Sequence, residues 1–239
     1  CDLLLARHSP SDQSFTDIMQ IKQNSNRAAN LVRQLLAYSK QQSLQPKIQS
    51  VVDILSDLTA LLERLVGINI KLEIHYGQKT GLVRVDRCQF EQVIINLVVN
   101  ARDAMKGHGK LEIRTYNKLL PRKMNIGHDT IPEGKYVVIE VLDTGCGIPK
   151  ENLNRIFDPF FSTKEMGQGT GLGLSTVYGI VKQTDGHIFV ESTEGLGTTF
   201  KVMLPFFQHT LEKQTTPTDK KTFEDLSGKG HILLVEDED

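Results

Sequence analysis

The chain has 239 residues, of which 39% are hydrophobic, and its 28 basic residues nearly balance its 29 acidic residues, giving a net charge of −1. This composition is typical of a globular protein and excludes a wholly disordered or collagen-like chain. The balanced charge provides no global positive field to attract nucleic acid, and no apolar run approaches the roughly 18 residues that cross a bilayer.

Residues 1–45 are predicted to form a helical hairpin. Residues 1–8 have the pattern of a helix end, residues 9–14, with Pro10, that of a turn, and residues 15–38 that of a long amphipathic helix. The apolar face of the long helix comprises Phe15, Ile18, Ile21, Ala28, Leu31, Leu35 and Tyr38. A lone hairpin cannot bury this stripe, so we expect two copies to associate into a four-helix bundle. The alternative is that the stripe packs on the following domain.

Residues 46–206 mix strand and helix patterns without a strict alternation. Strands are predicted at residues 47–51, 68–76, 82–85, 110–116, 135–142, 187–192 and 198–204, and helices at residues 53–65, 87–105 and 171–183. We expect Asp53 to cap the first helix, Ile68 to share the apolar strand face of Ile70, and residues 118–134 to form a polar connection. This order predicts an α/β sandwich with helices on one face of a mixed sheet, and an α+β class for the whole chain.

The end of the chain has a different character. Residues 207–230 are polar and are predicted to be a linker. Residues 231–239 consist of a short apolar stretch that ends in acids, which is typical of the first strand of a further domain.

Four segments of the sandwich carry the polar pattern of a nucleotide site. In the helix at residues 87–105, Asn96, Asn100 and Asp103 recur at positions i, i+4 and i+7 and therefore share a face. The Asn100 amide oxygen is a ligand of the kind that Mg²⁺ prefers. The alternative is a set of amides whose hydrogen bonds are satisfied within the core.

The second segment is Asp143-Thr144-Gly145-Cys146-Gly147-Ile148-Pro149, which follows a buried-looking strand. A carboxylate in that position needs hydrogen-bond donors, and an adenine amino group is one. Glycines let the backbone approach the base closely. A tight turn after a strand explains the same pattern.

The third and fourth segments are loops. Phe157, Phe160 and Phe161 fall within five residues and suit a hydrophobic anchor, although a surface loop packed on the core has the same composition. Glycines then occur at every second position before a helix, where backbone N–H groups can cradle phosphates. The alternative is a flexible linker. These glycines are Gly167, Gly169, Gly171 and Gly173.

The order of these four segments resembles the Asn box, first Gly box, Phe box and second Gly box of bacterial sensor histidine kinases, which share an ATPase superfamily with gyrase, Hsp90 and MutL. The stretch Gly195-Leu196-Gly197-Thr198-Thr199-Phe200 also matches that family. The amino-acid sequences of several motifs are similar to those of alphaproteobacterial cell-cycle kinases. The resemblance implies a hybrid kinase that binds Mg-ATP, with a dimerisation and histidine-phosphotransfer hairpin at residues 1–45 and a receiver domain that starts at residue 231.

The resemblance also implies roles for individual residues. Asn96 and Asn100 would position the metal and phosphates, with Asn100 as the metal ligand, and Asp143 would recognise adenine. Arg102, Lys106 and Lys164 are candidates for the cation that meets the γ-phosphate, and we take Lys164 as the third catalytic residue. The nucleotide-binding residues implied are Asn96, Asn100, Asp103, Asp143, Gly145, Gly147, Ile148, Phe157, Phe160, Thr163, Gly169, Thr170, Gly171, Leu172, Gly173 and Thr198.

The acceptor histidine of such kinases lies on a bundle helix and is followed by an acid. Here His128 alone precedes an acid, and it lies in the predicted connection, so we expect the acceptor upstream of Cys1 and no self-phosphorylation by this chain. Where gyrase-type relatives have a water-activating glutamate, this chain has Asn96. An amide cannot accept that proton, so ATP hydrolysis should be slow.

The family's partners complete the expectations. They are a second copy bound through the hairpin, the chain's own receiver domain, a downstream phosphotransferase protein and cyclic di-GMP, which could stack on Tyr178 unless that ring is a core residue. The resemblance implies the cytoplasmic part of an inner-membrane-anchored kinase that works in both kinase and phosphatase directions. The rival interpretations are an ATPase that gates conformation and a nucleotide-sensing module without enzymatic activity.

Overall fold

The computed structural model describes residues 12, 14–15, 17–21, 45–126, 129–164 and 170–207. Most of the predicted hairpin, the second Gly box up to Gly169, the linker after Phe207 and the predicted receiver strand lie outside these residues. Within the hairpin, residues 14–15 and 17–21 are helical. No helix in the described part of the chain is long and apolar enough to span a bilayer.

The described elements follow one another in a mixed order. The strands are β1 (Lys47–Ser50), β2 (Ile70–Tyr76), β3 (Leu82–Val85), β4 (Gly109–Leu120), β5 (Met124–Ile126), β6 (Asp129–Ile131), β7 (Gly134–Asp143), β8 (His187–Thr193) and β9 (Gly197–Pro205). The helices are α1 (Val51–Val66), α2 (Arg87–Ala104) and α3 (Gly173–Gln183), with a short 3-10 helix at Lys150–Asn152. The predicted order of strands and helices is confirmed except for β5 and β6, which lie in the predicted connection.

The main sheet has five strands in the order β2-β4-β7-β9-β8. Strands β2 and β4 are parallel, and the other neighbouring pairs are antiparallel. Helices α1, α2 and α3 bury their apolar faces against one side of this sheet, and buried residues such as Leu62, Leu97, Ile139 and Val177 form the joint core. The architecture is the predicted α/β sandwich with a mixed sheet.

Local details differ from the sequence-based expectations at the start of α1. Ser50, not Asp53, caps the helix, and its side chain accepts a hydrogen bond from the Asp53 backbone N–H. Strand β1 runs directly into α1, so the extended backbone needed at a cap already exists at Ser50. The expectation for Ile68 is also wrong, because its side chain is fully exposed and β2 begins only at Ile70.

The predicted polar connection at residues 118–134 is wrong as well. Strand β4 continues to Leu120, and β5 and β6 form an antiparallel hairpin. Leu120 and Ile131 are buried with Tyr136 and Met203 in a second, smaller cluster that is separate from the main core. Pro121 and Pro132 interrupt the strand pattern in the sequence, although Leu120 and Ile131, which directly precede them, belong to this cluster.

Candidate functional site

Helix α2 places two asparagine side chains beside the beginning of α3. The Asn96 Nδ2 atom donates a hydrogen bond of 3.4 Å to the carbonyl oxygen of Gly173. A Cβ atom added to Gly173 would lie 3.7 Å from the Nδ2 atom of Asn100. Since the two asparagines are one helical turn apart, both meet the first turn of α3.

The first turn of α3 has the properties of an anion-binding helix start. Leu172 occupies the cap position, where it makes no side-chain capping hydrogen bond. Its own N–H donates to Thr170 Oγ1 at 3.3 Å. The N–H groups at such a helix start carry partial positive charge, so they favour phosphate oxygens. The asparagine amides and this helix start together form the polar wall of the site.

Asp143 ends β7 as a buried carboxylate, with only 8% of its surface exposed. Burial raises the pKa of Asp143, although hydrogen bonds from the backbone N–H groups of Gly145 and Thr198 act in the opposite direction. The bond from Gly145 to Oδ1 measures 2.8 Å. A carboxylate can accept about four hydrogen bonds, so Asp143 has capacity for an additional donor.

Close backbone contacts hold the loop after Asp143. Gly147 has φ +71°, and a Cβ atom there would lie 2.2 Å from the carbonyl oxygen of Thr193. The Cys146 N–H donates to the carbonyl of Ala104, at the end of α2, and the Cys146 carbonyl accepts from Gly195. The loop is therefore fixed between α2 and the turn that joins β8 to β9.

Ser192 is a member of the site that sequence reasoning missed. Its Oγ accepts from the N–H of Ile148 at 2.8 Å and lies 3.0 Å from Oγ1 of Thr198, which is itself buried beside Asp143. Ile188 and Val190 alternate along the inward face of β8, and Ser192 continues this alternation. A hydroxyl at an inward-facing position is the sequence signal that could have revealed Ser192.

The Phe segment anchors through two of its three rings. Phe157 and Phe161 are partly buried and pack against the main core. Phe160 is 66% exposed, so the expectation of a threefold anchor is wrong for this residue. Its backbone has φ +66°, and its N–H donates to the carbonyl of Gly171 at 2.9 Å. This bond ties the Phe segment to the residues that precede α3.

Three charged residues form a chain at the end of α2. Asp103 Oδ2 accepts a 2.6 Å hydrogen bond from Lys164 Nζ, while Oδ1 accepts from Arg102. Burial raises the pKa of Asp103, but the hydrogen bonds from Lys164 and Arg102 outweigh it and hold the pKa below its ordinary value. Asp103 is therefore ionised at neutral pH and neutralised by two cations.

The structure thus brings most of the predicted site residues together around α2, the loop after β7 and the start of α3. Thr163 is exposed, and Gly169 lies outside the described residues. Tyr178 is partly buried on α3, with its ring centroid 5.4 Å from that of Phe157 and Lys182 Nζ 5.3 Å from its own centroid. These contacts favour the core-packing alternative for Tyr178.

Magnesium fits the donors at this site. The Asn100 side chain supplies an oxygen beside the helix start that we assign to phosphates, and Mg²⁺ is commonly held by one or two protein oxygens together with phosphate oxygens and water. Asn100 is therefore the residue that would hold the ion.

A cavity of about 340 Å³ lies at the same end of the sheet but not at the asparagines. Its lining includes Asp143 and Thr198 together with residues at outward-facing strand positions, such as Lys110, Leu142 and Thr199. The inward neighbours of these residues are in the main core, so the cavity opens mainly on the opposite face of the sheet. We do not assign it to the nucleotide.

Comparison with known families matches residues 85–208 to the family described as histidine kinase-, DNA gyrase B-, and HSP90-like ATPase. The match includes the asparagines of α2, Asp143, the Phe segment and the glycines before α3. All four segments that form the site are therefore within it.

Individual relatives are named as kinases. The whole chain is 52% identical over 243 residues to sensor kinase CckA of Brucella abortus, of which it covers 26%. It is 33% identical over 198 residues to sporulation kinase C of Bacillus subtilis, covering 82% of this chain and 42% of that protein. The solved catalytic domain of histidine kinase ThkA has a TM-score of 0.52 and 30% identity, covering 68% of this chain and 96% of its own. The chain spans only part of the length of the two full kinases.

Proposed function

Because the chain belongs to the histidine kinase-, DNA gyrase B- and HSP90-like ATPase family, we propose that it is the ATP-binding part of a bacterial sensor histidine kinase. The similarity to named sensor kinases supports this choice within the family. The observation that carries the proposal is the buried carboxylate of Asp143, which accepts from the N–H groups of Gly145 and Thr198 and still has acceptor capacity for the amino group of a base.

Asp143 is the residue that selects the base. Its carboxylate accepts from the exocyclic amino group of adenine, and a hydrogen bond to a charged acceptor contributes roughly 1.5 to 3 kcal/mol. Guanine has a carbonyl oxygen at the corresponding ring position, which would face the carboxylate with a second acceptor. The site should therefore prefer ATP to GTP.

Asn96, Asn100 and the first turn of α3 bind the phosphates. The helix start supplies N–H donors, and Asn100 would hold a magnesium ion, which when bound would neutralise phosphate charge. Lys164 supplies the cation for the γ-phosphate. Phosphoryl transfer depends mainly on such positioning and charge neutralisation, so no strong base is needed on α2.

An amide at residue 96 favours a kinase over a water-activating ATPase. Asn96 cannot take a proton from water at neutral pH, and its Nδ2 group is already engaged with Gly173. The phosphoryl group is then transferred to a histidine of the parent protein that lies outside this chain. Sustained ATP hydrolysis by the chain would instead favour the gating ATPase.

The wider role follows the relatives. We propose that residues 1–45 contribute to the dimer bundle. The phosphoryl group then passes through a receiver domain and a phosphotransferase protein to control the cell cycle. The same relay also runs in the phosphatase direction. A kinase that remains anchored in the inner membrane through other parts of the parent protein fits this scheme. Cyclic di-GMP binding at Tyr178 stays a prediction, and the ring already has Lys182 Nζ 5.3 Å from its centroid.

The test is calorimetric titration of the chain with ATP and with GTP in the presence of magnesium. We expect ATP to bind and GTP to bind at least tenfold more weakly, and Asp143→Asn to lower ATP affinity by about tenfold to a hundredfold. Asp57→Asn, at an exposed carboxylate on α1, is the matched control and should bind like the wild type.

Two results would count against the proposal. One is the absence of any ATP binding by the wild-type chain. The other is an unchanged ATP affinity in Asp143→Asn, which would mean that this carboxylate does not contact the base.

A further inference from the structure

The ion pair between Lys164 and Asp103 joins two segments of the proposed nucleotide site. Asp103 lies on α2, three residues after Asn100, whereas Lys164 follows the Phe segment. Their Nζ and Oδ2 atoms are 2.6 Å apart, and about 30% of each side chain is exposed. In this arrangement the cation that the proposed function assigns to the γ-phosphate is already bound to a carboxylate of the same chain.

Asp103 is held firmly at its end of the pair. Arg102 donates to Asp103 Oδ1 from both Nε and Nη2, and its Nη1 donates to the carbonyl of Leu65 near the end of α1. An acid in the last turn of a helix is disfavoured by the helix dipole. The position of Asp103 therefore does not stabilise α2. The favourable interactions of Asp103 are those with Arg102 and Lys164.

Lys164 is linked through the Phe segment to the start of α3, which we assign to phosphates. Its backbone N–H donates to Ser162 Oγ at 3.2 Å. Phe161 packs on the core beneath the guanidinium of Arg155, and Phe160 is hydrogen-bonded to Gly171, two residues before α3. The backbone of Lys164 is therefore joined through the Phe segment to the residues that precede α3.

We propose that Asp103 and the terminal phosphate of a nucleoside triphosphate compete for the ammonium group of Lys164, so that Asp103 lowers affinity for triphosphates relative to diphosphates. This inference rests on the proposed function. A diphosphate has no γ-phosphate to draw Lys164 away and leaves the pair intact. A triphosphate must break the pair, and it also meets the negative charge of Asp103, which no longer has its second cation.

Asp103 is thus a specificity-determining residue that acts through Lys164. It keeps the site from holding ATP too tightly, and it reduces the advantage of ATP over ADP. Replacing the carboxylate by an amide of the same size should release Lys164 for the γ-phosphate while leaving the base and the first two phosphates unaffected.

The experiment measures ATP and ADP affinities of the chain by calorimetry with magnesium for wild type, Asp103→Asn, Lys164→Gln and the double variant. We expect Asp103→Asn to raise ATP affinity about tenfold and Lys164→Gln to lower it about tenfold, with ADP affinity changed less than about twofold in both. In the double variant, Asp103→Asn should no longer raise ATP affinity, because the competing cation is gone.

Matched controls are Lys201→Gln, which removes an ion pair with Glu191 on the far face of the sheet, and Asp57→Asn, which removes one with Arg87. Both should leave the ratio of ATP to ADP affinity unchanged. Asp103→Ser is a second variant that also removes the charge, and it should act in the same direction as Asp103→Asn if the latter unfolds.

The outcomes separate the two proposals. If the wild-type chain binds neither nucleotide, the proposed function fails. If it binds both but Asp103→Asn leaves ATP affinity unchanged or lower, or raises it equally without Lys164, competition for Lys164 is refuted and ATP binding stands.

Discussion

Asp143 is an example of a residue whose proposed role has a cost in stability. Its pKa is raised above the ordinary value of 3.8 because burial disfavours the charged form. For a carboxylate with a raised pKa, the favourable contribution is present below the ordinary value and is lost as pH rises through the higher folded-state value. At neutral pH the charge of Asp143 therefore lowers the free energy of unfolding.

This relation predicts that Asp143→Asn weakens ATP binding without lowering the free energy of unfolding at neutral pH. At pH 7 the variant should melt at the same temperature as the wild type or higher, because the amide carries no charge and its oxygen can still accept from Gly145. The difference should shrink as pH falls below about 4. Thermal unfolding followed by circular dichroism across this range tests the point, and a markedly lower melting temperature at pH 7 would contradict it.

Gly171 shows how a single backbone position shapes the site. It has φ +65°, and a Cβ atom there would lie 2.4 Å from the carbonyl carbon of Phe160. Both the conformation and the contact require glycine. The hydrogen bond between Phe160 and Gly171, which ties the Phe segment to α3, depends on this close approach.

Alanine at Gly171 should lower the free energy of unfolding by roughly 2 kcal/mol or more, from the left-handed backbone and the collision together. Gly179→Ala is the matched control, since Gly179 lies within α3 with open space around it and should gain about 0.5 to 1 kcal/mol. Urea unfolding of both variants provides the comparison. Equal effects of the two substitutions would show that the strain at Gly171 is not real.

At the scale of elements, α1 illustrates how a neighbouring strand decides where a helix begins. Strand β1 pairs with β3 up to Ser50, and the next residue is helical. The Ser50 hydroxyl then accepts from the Asp53 N–H at 3.3 Å. Both serine and aspartate are good caps, so only the pairing of β1 distinguishes them.

We therefore predict that Ser50→Ala lowers the free energy of unfolding by about 1 kcal/mol. The same substitution at Ser56, an exposed position in the middle of α1, should be neutral or slightly stabilising because alanine favours helix. Chemical denaturation distinguishes the two. A loss at Ser56 as large as that at Ser50 would rule out a specific capping role.

At the scale of the whole molecule, the face of the sheet away from the helices carries a network of charges. Glu73 and Glu112 are register neighbours on the parallel strands β2 and β4, and His75 lies near both. Lys110 bridges the two carboxylates, at 2.8 Å from Glu73 and 3.3 Å from Glu112. Two like charges placed side by side are unfavourable, and Lys110 offsets their repulsion across β2 and β4.

The network predicts acid sensitivity. Hydrogen bonds from Lys110 and then Lys71 lower the pKa of Glu73 to about 2, from an ordinary value of 4.5. A lowered carboxylate pKa contributes stability that is present above the ordinary value and is lost as pH falls toward the folded-state value. The melting temperature should therefore fall between pH 5 and pH 2, and less steeply in Glu73→Gln.

Glu151→Gln, on the exposed 3-10 helix, is the control and should show the same pH dependence as the wild type. Melting curves at several pH values should be recorded at low and at high salt. Because salt screens exposed ion pairs, the contribution of the network should be smaller at high salt. Identical pH profiles for wild type and Glu73→Gln would mean that the network has no measurable effect.

Sequence periodicity was enough to predict the order of strands and helices in the sandwich, because alternation and helical spacing report burial that is local to each element. It failed where burial depended on distant residues. Leu120 and Ile131 look like parts of a loop until Tyr136 and Met203 are placed against them. Ile68 matches the strand pattern, but the turn before β2 leaves it in solvent.

The sequence by itself determined the chemistry available to this protein, because the spacing of Asn96 and Asn100, the aspartate after a buried strand and the alternating glycines are all local features. Only the tertiary structure decided which of these groups meet. Ser192 beside Ile148 and Lys164 on Asp103 join residues that are 44 and 61 positions apart. Such contacts follow from the order of the strands and the packing of α2 against α3, which the local pattern of side chains does not specify.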